Sequence, residues 1–130
     1  MEGNMKFLWS TLKVRNMEES IAFYEDILGL KTNRRFQAGP DMDIAFLGEG
    51  ETQIELIEEK SRTEIELGQD ISWGFEVDSL EEMKERLQKR GVEILAGPFQ
   101  PNPFTRFIYI LDPNGLKIQF VENSHPEVRK

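Results

Sequence analysis

Seven side chains are candidates to recognise or transform a small molecule: Trp9, Thr11, Glu55, Ser72, Arg106, Tyr109 and Gln119. Glu55 is the one candidate general base, since a carboxylate can take a proton from a reacting carbon or oxygen. Its plainer role is that of a hydrogen-bonded remnant. Trp9 could stack on a planar or cationic ligand, or simply fill space. Ser72 and Gln119 are neutral hydrogen-bonding groups, suited to orienting a ligand and not to chemistry alone. Arg106, beside Pro101-Asn102-Pro103-Phe104-Thr105, could close over an anionic group from a loop, or pair with one of the chain's many acids. Tyr109 could turn its hydroxyl inward from an alternating strand. The lone histidine, His125, lies in a polar tail and reads as a surface residue. With no cysteine there is no thiol nucleophile, thiolate ligand or disulfide.

What must position these groups is a duplication. Residues 9–25 lie over 72–88 at an offset of 63. Leu12-Lys13-Val14-Arg15-Asn16-Met17-Glu18-Glu19 meets Phe75-Glu76-Val77-Asp78-Ser79-Leu80-Glu81-Glu82. At an offset of 64, Ile44–Leu47 meets Ile108–Leu111, and Ile54–Glu58 meets Ile118–Glu122. Each copy reads as strand, helix and three strands. In the first helix Met17, Ile21, Tyr24 and Leu28 recur at helical spacing, capped by Asn16 with Glu19 three residues on and stopped by Gly29. In the second, Leu80, Met83 and Leu87 form the stripe, Ser79 and Glu82 make the capping pair, and Gly91 ends it. Gly48-Glu49-Gly50 and Asp112-Pro113-Asn114-Gly115 read as hairpin turns, Gly97–Pro103 as a loop, and Glu59–Asp70 as the connector. The expected fold is α+β: two tandem βαβββ modules, about 5–59 and 71–123 of one domain spanning 1–130, forming a cupped mixed sheet with helices on its outer face.

Strand alternation then sorts the side chains. If Leu12, Val14, Ile54 and Leu56 pack on the first helix, then Trp9, Thr11, Lys13, Gln53, Glu55 and Ile57 take the opposite face. The same rule puts Ser72, Gly74, Glu76, Lys117, Gln119 and Val121 opposite the second helix. A sheet covered on one side only must curl over something, and a cup of this kind suits a small molecule.

Composition bounds the partners. The chain has 130 residues, 38% hydrophobic and 31% charged, which is an ordinary globular balance. A formal charge of -8 argues against nucleic acid, which needs a concentrated basic surface. The opening Met5-Lys6-Phe7-Leu8-Trp9 is too short and too soon interrupted for a signal peptide, and no run reaches a membrane span. Cytoplasmic residence without a membrane partner is the expectation.

The run from Leu12 to Leu30, with its Phe23-Tyr24 and Leu28-Gly29 pairs, resembles the strand–helix opening of the vicinal oxygen chelate superfamily. That superfamily includes glyoxalases, bleomycin- and fosfomycin-resistance proteins and extradiol dioxygenases. Asp112-Pro113-Asn114-Gly115-Leu116-Lys117-Ile118-Gln119-Phe120 resembles its closing hairpin, and the likeness runs from about Lys6 to Glu122. The resemblance implies four metal-ligand positions in metal-dependent members. Here they fall on Trp9, Glu55, Ser72 and Gln119, of which only Glu55 matches. Transition metals favour imidazole, thiolate and carboxylate, and a hard cation needs more convergent carboxylates than one. No metal and no cofactor are therefore expected.

The reading that follows is a metal-free small-molecule-binding protein, bleomycin-resistance-like in the broad sense. Its cup would be lined by Trp9, Thr11, Glu55, Ser72, Tyr109 and Gln119, with Arg106 at the lid, and would suit a cationic or aromatic ligand. The resemblance also implies a homodimer. One alternative is a glyoxalase-like lyase or isomerase using a partial metal site or Glu55 as base. Another is a non-catalytic interaction module with a plugged cup.

Overall fold

A computed structural model describes residues 6–62 and 64–124. The chain divides between Glu66 and Leu67 into two compact units, one for each copy of the repeat. In the first unit the order is β1 (Trp9–Lys13), α1 (Met17–Asp26), β2 (Thr32–Gln37), β3 (Met42–Leu47) and β4 (Gln53–Glu59). In the second it is β5 (Ser72–Glu76), α2 (Leu80–Lys89), β6 (Ala96–Asn102), β7 (Thr105–Leu111) and β8 (Lys117–Asn123). The expected βαβββ pattern is present twice, as two four-stranded mixed sheets.

The sheets share one topology. The strand orders are β1-β4-β3-β2 and β5-β8-β7-β6, with the first pair of each parallel and the rest antiparallel. Both helices start as their caps predict. The Asn16 side chain accepts from the Glu19 amide at 2.9 Å, and Ser79 Oγ accepts from the Glu82 amide at 3.1 Å. The duplication goes deeper than the caps. Glu58, in β4, accepts the Met17 amide at 3.0 Å, and its counterpart Glu122, in β8, accepts the Leu80 amide at 2.7 Å. Each module thus sets a carboxylate from its last strand at the positive end of its own helix.

The cores lie where the helices cover the sheets. In the first module Leu12, Val14, Ala45, Leu47, Ile54 and Leu56 pack with Met17, Tyr24 and Ile27 of the helical segment, all buried. The buried stripe of α1 is Met17, Ser20, Tyr24 and Ile27, while Ile21 and Leu28 stay half-exposed at its rim. In the second module Leu80, Met83 and Leu87 are buried, over Ile108, Ile110, Ile118 and Phe120. The closing hairpin is tied by Asp112, whose Oδ1 accepts from the Asn114 and Leu116 amides, both at 2.8 Å. Asp112 is 4% exposed, so these bonds offset the cost of burying a carboxylate.

One expected loop is a strand. Gly97–Pro103 largely falls in β6, which pairs with β7 through a register broken on both sides of Phe99. Pro98 and Pro101 have no amide to donate, but β6 is the outermost strand of its sheet, where a missing donor is tolerated. Gly97 takes φ +105°, and a Cβ there would sit 3.0 Å from the Phe107 carbonyl oxygen, so only glycine fits. No helix among the described residues is long and apolar enough to cross a membrane.

Candidate functional site

The sheet face opposite each helix carries the candidate residues other than Arg106. In the first module β1 and β4 run parallel with Trp9 opposite Gln53, Thr11 opposite Glu55 and Lys13 opposite Ile57. Thr11 Oγ1 donates to Glu55 Oε1 at 2.6 Å, and Lys13 Nζ bridges to Glu59 Oε1 at 2.8 Å. Both contacts confirm the face that alternation assigned. The Lys13 ammonium, hydrogen-bonded to Glu59, holds that carboxyl below the usual carboxylate range. Thr11 and Glu55 are therefore a preformed pair: a half-buried carboxylate with one oxygen held and the other available to a ligand.

β2 and β3 complete this face with residues the alternation of β1 and β4 could not supply. Phe46 stands opposite Glu55 in the β3–β4 register, and Arg34 stands opposite Phe46 in the β2–β3 register. Trp9 meets Phe46 edge-on with ring centroids 5.1 Å apart, and Phe36 stacks on Phe46 at 6.4 Å. The Arg34 guanidinium lies over both phenyl rings, 4.5 Å from the Phe46 centroid and 5.6 Å from that of Phe36. Trp9 itself is 43% exposed, so its indole is a half-open wall rather than a buried plug. Sequence reasoning missed Arg34, Phe36 and Phe46. Their signal was faint: Ile44-Ala45-Phe46-Leu47 is apolar on both faces, which hides its parity.

The neighbouring Arg35 shows the opposite fate. Its parity sends it to the helix face, where it pairs with Asp43 at 2.8 Å and Glu18 at 2.6 Å. These two carboxylates raise the affinity of its guanidinium for its proton still further.

In the second module Ser72, Gly74 and Glu76 of β5 share the open face with Lys117, Gln119 and Val121 of β8. A Cβ on Gly74 would come within 3.1 Å of Gln119 Oε1, so the glycine lets the amide side chain lie across the β5 backbone. Tyr109 stands opposite Gln119 and belongs to a three-ring cluster. Its ring is 5.7 Å from Phe107 and 6.3 Å from Phe99, and those two are 5.4 Å apart. Phe99 and Phe107 were not foreseen, because Phe99 lies in the stretch expected to be a loop.

Arg106 corrects an expectation. It is in β7, not a lid loop, and alternation places it with Ile108 and Ile110 on the helix face. There it pairs with Glu122 at 3.3 Å and Glu81 of α2 at 3.9 Å. Its charge is paired within its own module, the plainer of the two roles that the sequence offered for it. His125 lies outside the described residues.

The four family metal positions divide two and two, Trp9 and Glu55 in the first module, Ser72 and Gln119 in the second. An indole, a hydroxyl and a carboxamide are poor donors for zinc or nickel, and the one carboxylate already accepts from Thr11. Among the described residues no three His, Cys, Asp or Glu side chains gather so as to hold a metal ion. The residues present do not fit such a group.

Comparison with known proteins agrees with the fold. Residues 6–120 match the family described as the Glyoxalase/Bleomycin resistance protein/Dioxygenase superfamily. A lactoylglutathione lyase of Neisseria meningitidis serogroup A is 32% identical over 127 residues, covering 91% of each chain. One from Salmonella typhimurium is 31% identical, over 91% of this chain and 93% of its own. Among solved structures, a Leishmania major glyoxalase I superposes with a TM-score of 0.79 at 23% identity, covering 92% of this chain and 87% of that one. A Bacillus cereus glyoxalase family protein does so with a TM-score of 0.80 at 23% identity, over 96% and 99%. With its duplicated βαβββ modules and a match over nearly its whole length, this chain belongs to the glyoxalase/bleomycin resistance protein/dioxygenase superfamily.

Proposed function

We propose that this protein is a glyoxalase-like lyase or isomerase acting on a small organic molecule, with Glu55 as the group that takes and returns a proton. The observation that carries the reading is the Thr11–Glu55 pair. A hydroxyl holds one carboxylate oxygen at 2.6 Å on a sheet face that also carries Trp9, Phe36 and Phe46, with Arg34 over the two phenyl rings. Such a carboxylate is oriented before any ligand arrives, which is what a general base requires. The curated relatives, about a third identical over nine-tenths of the chain, are lyases of lactoylglutathione and support the same class. No step is assigned to a metal, because Trp9, Ser72 and Gln119 replace the donors that would hold one.

A second reading, binding without turnover, is favoured by that same replacement. A face with one base and no Lewis acid can hold and orient a ligand, but must work without charge stabilisation of an enolate by a metal. The bleomycin-resistance-like branch of the superfamily is the natural home for such a protein, and the exposed Trp9 ring suits an aromatic ligand. Homodimer formation in the cytoplasm is part of either reading. Exposed outer strands, of which β1 and β2 are two, favour association.

The test is turnover of lactoylglutathione and related thiol adducts by wild type and Glu55→Gln, with and without nickel or zinc. The lyase reading expects turnover that Glu55→Gln abolishes and added metal leaves unchanged. Absence of turnover together with a ligand seen by mass spectrometry of the purified protein would select the binding reading. Stoichiometric metal bound at Glu55 would overturn the metal-free assignment. Light scattering should give twice the 15.1 kDa chain mass for the dimer.

A further inference from the structure

Arg34 differs from its neighbour in a way that points to a ligand. Arg35 has two carboxylate partners, whereas the Arg34 guanidinium makes no hydrogen bond or ion pair among the described residues. It is spread instead on the faces of Phe46 and Phe36. Stacking of this kind fixes the plane of the guanidinium while leaving its edge donors available, the arrangement best matched to a carboxylate. The chain is strongly acidic, with 24 Asp and Glu against 16 Lys and Arg, yet the exposed Arg34 guanidinium rests on the two rings and not on a carboxylate.

Beside it lies a depression of about 320 Å³ lined by Leu8, Trp9, Asn33, Arg34, Glu51 and Gln53, all of the first module. Leu8 and Trp9 are 55% and 43% exposed and supply an apolar wall. Glu51 lines the same hollow, so the site opposes a second negative charge. The combination selects one carboxylate on an apolar or aromatic body, over phosphate or a dianion.

We propose that this depression is a subsite for an organic monocarboxylate, with Arg34 as the residue that binds its carboxylate and Trp9 the wall for its apolar part. The proposal rests on the reading of this sheet face as ligand-binding, and it names the chemical class of what is bound.

The experiment is a proton–nitrogen NMR titration of the full chain at pH 7 with benzoate and with benzamide, its neutral isostere. Trp9 is distinguished from Trp73 by a Trp9→Phe variant. The expected result is that benzoate shifts the Trp9 indole and Arg34 Nε signals and binds about tenfold tighter than benzamide, the ratio a charge-assisted hydrogen bond provides. Arg34→Gln and Arg34→Met should reduce benzoate to the benzamide level while circular dichroism stays unchanged. Arg34→Lys, which keeps the charge, should retain part of the preference and guards against a folding defect in the other two. Inorganic phosphate should bind more weakly than benzoate. Equal binding of benzoate and benzamide at Trp9 would overturn the carboxylate subsite yet leave the face as a ligand site. Benzoate binding that survives Arg34→Gln, or no shift at Trp9 with either compound at tens of millimolar, would overturn it as well. Turnover of a thiol adduct, tested separately, tells failure of this subsite from failure of the lyase reading.

Discussion

Thr11 and Glu55 face each other across the parallel ladder of β1 and β4, and the threonine hydroxyl donates to the glutamate at 2.6 Å. The bond spans 44 residues of sequence, yet both partners sit at directly opposed register positions, so it follows from strand pairing alone. Removing the donor should therefore loosen the carboxylate without disturbing the sheet. Thr11→Val is expected to change stability by no more than about 1 kcal/mol. It should lower the rate or affinity that depends on Glu55 about tenfold, since a poorly positioned base loses orientation. Thr11→Ser should restore most of it. Equal activity in Thr11→Val and wild type would show that Glu55 needs no such support.

Asp43 is 6% exposed and depends on Arg35 for its compensation. Arg35→Met leaves that carboxylate buried without its cation, and a loss of about 2 kcal/mol is expected, discounted because the arginine itself is partly solvated. The urea midpoint should move accordingly, at unchanged slope. Asp43→Asn in the same background should recover part of the loss, because it removes the stranded charge.

The two helix starts can be compared directly. Asn16→Ala and Ser79→Ala should each cost about 1 kcal/mol. Replacing the charge alone, in Glu58→Gln, should cost less, as an amide oxygen can still accept the Met17 amide. Glu122→Gln also removes the ion-pair partner of Arg106 and should cost more than Glu58→Gln. Thermal melts of the four variants would check the ranking. A larger loss for Glu58→Gln than for Asn16→Ala would contradict it.

Glu59 titrates below an ordinary glutamate because Lys13 hydrogen-bonds it. A depressed folded value means the pair stabilises the fold above the unfolded glutamate value. That contribution is lost as pH falls through the lower, folded value. In an NMR pH titration the Glu59 carboxyl should show a midpoint below that of solvent-exposed glutamates, and Lys13→Met should return it most of the way to their range, Arg62 at 3.7 Å holding the remainder. The pair is open to solvent, so raised salt should shrink the difference.

Much of this architecture was legible because its determinants are local. The Asn16 and Ser79 caps and the stops at Gly29 and Gly91 are each contained in a short stretch, and the repeat emerges when the chain is laid over itself. Alternation around Leu12, Val14, Ile54 and Leu56 told which side chains leave the helix face, and so named Trp9, Thr11 and Glu55, with Ser72 and Gln119 by the same rule. The donor set at the four family positions was equally plain, since side-chain chemistry needs no coordinates.

What required tertiary structure was pairing. Arg106 looks like a lid residue beside its prolines, but once β7 begins at Thr105 its parity matches Ile108 and Ile110, and it turns to Glu122 and Glu81. Pro98 and Pro101 read as loop until β6 proves to be an outermost strand, where missing amide donors are tolerated although the register breaks on either side of Phe99. Arg34 and Arg35 are adjacent and chemically identical, and only the β2–β3 register decides which rests on Phe46 and which is neutralised by Asp43. The physical reason is the same throughout. Local sequence sets which conformations are cheap for a segment, but the partner across a ladder is chosen by distant residues, and a shift of one position reverses every face.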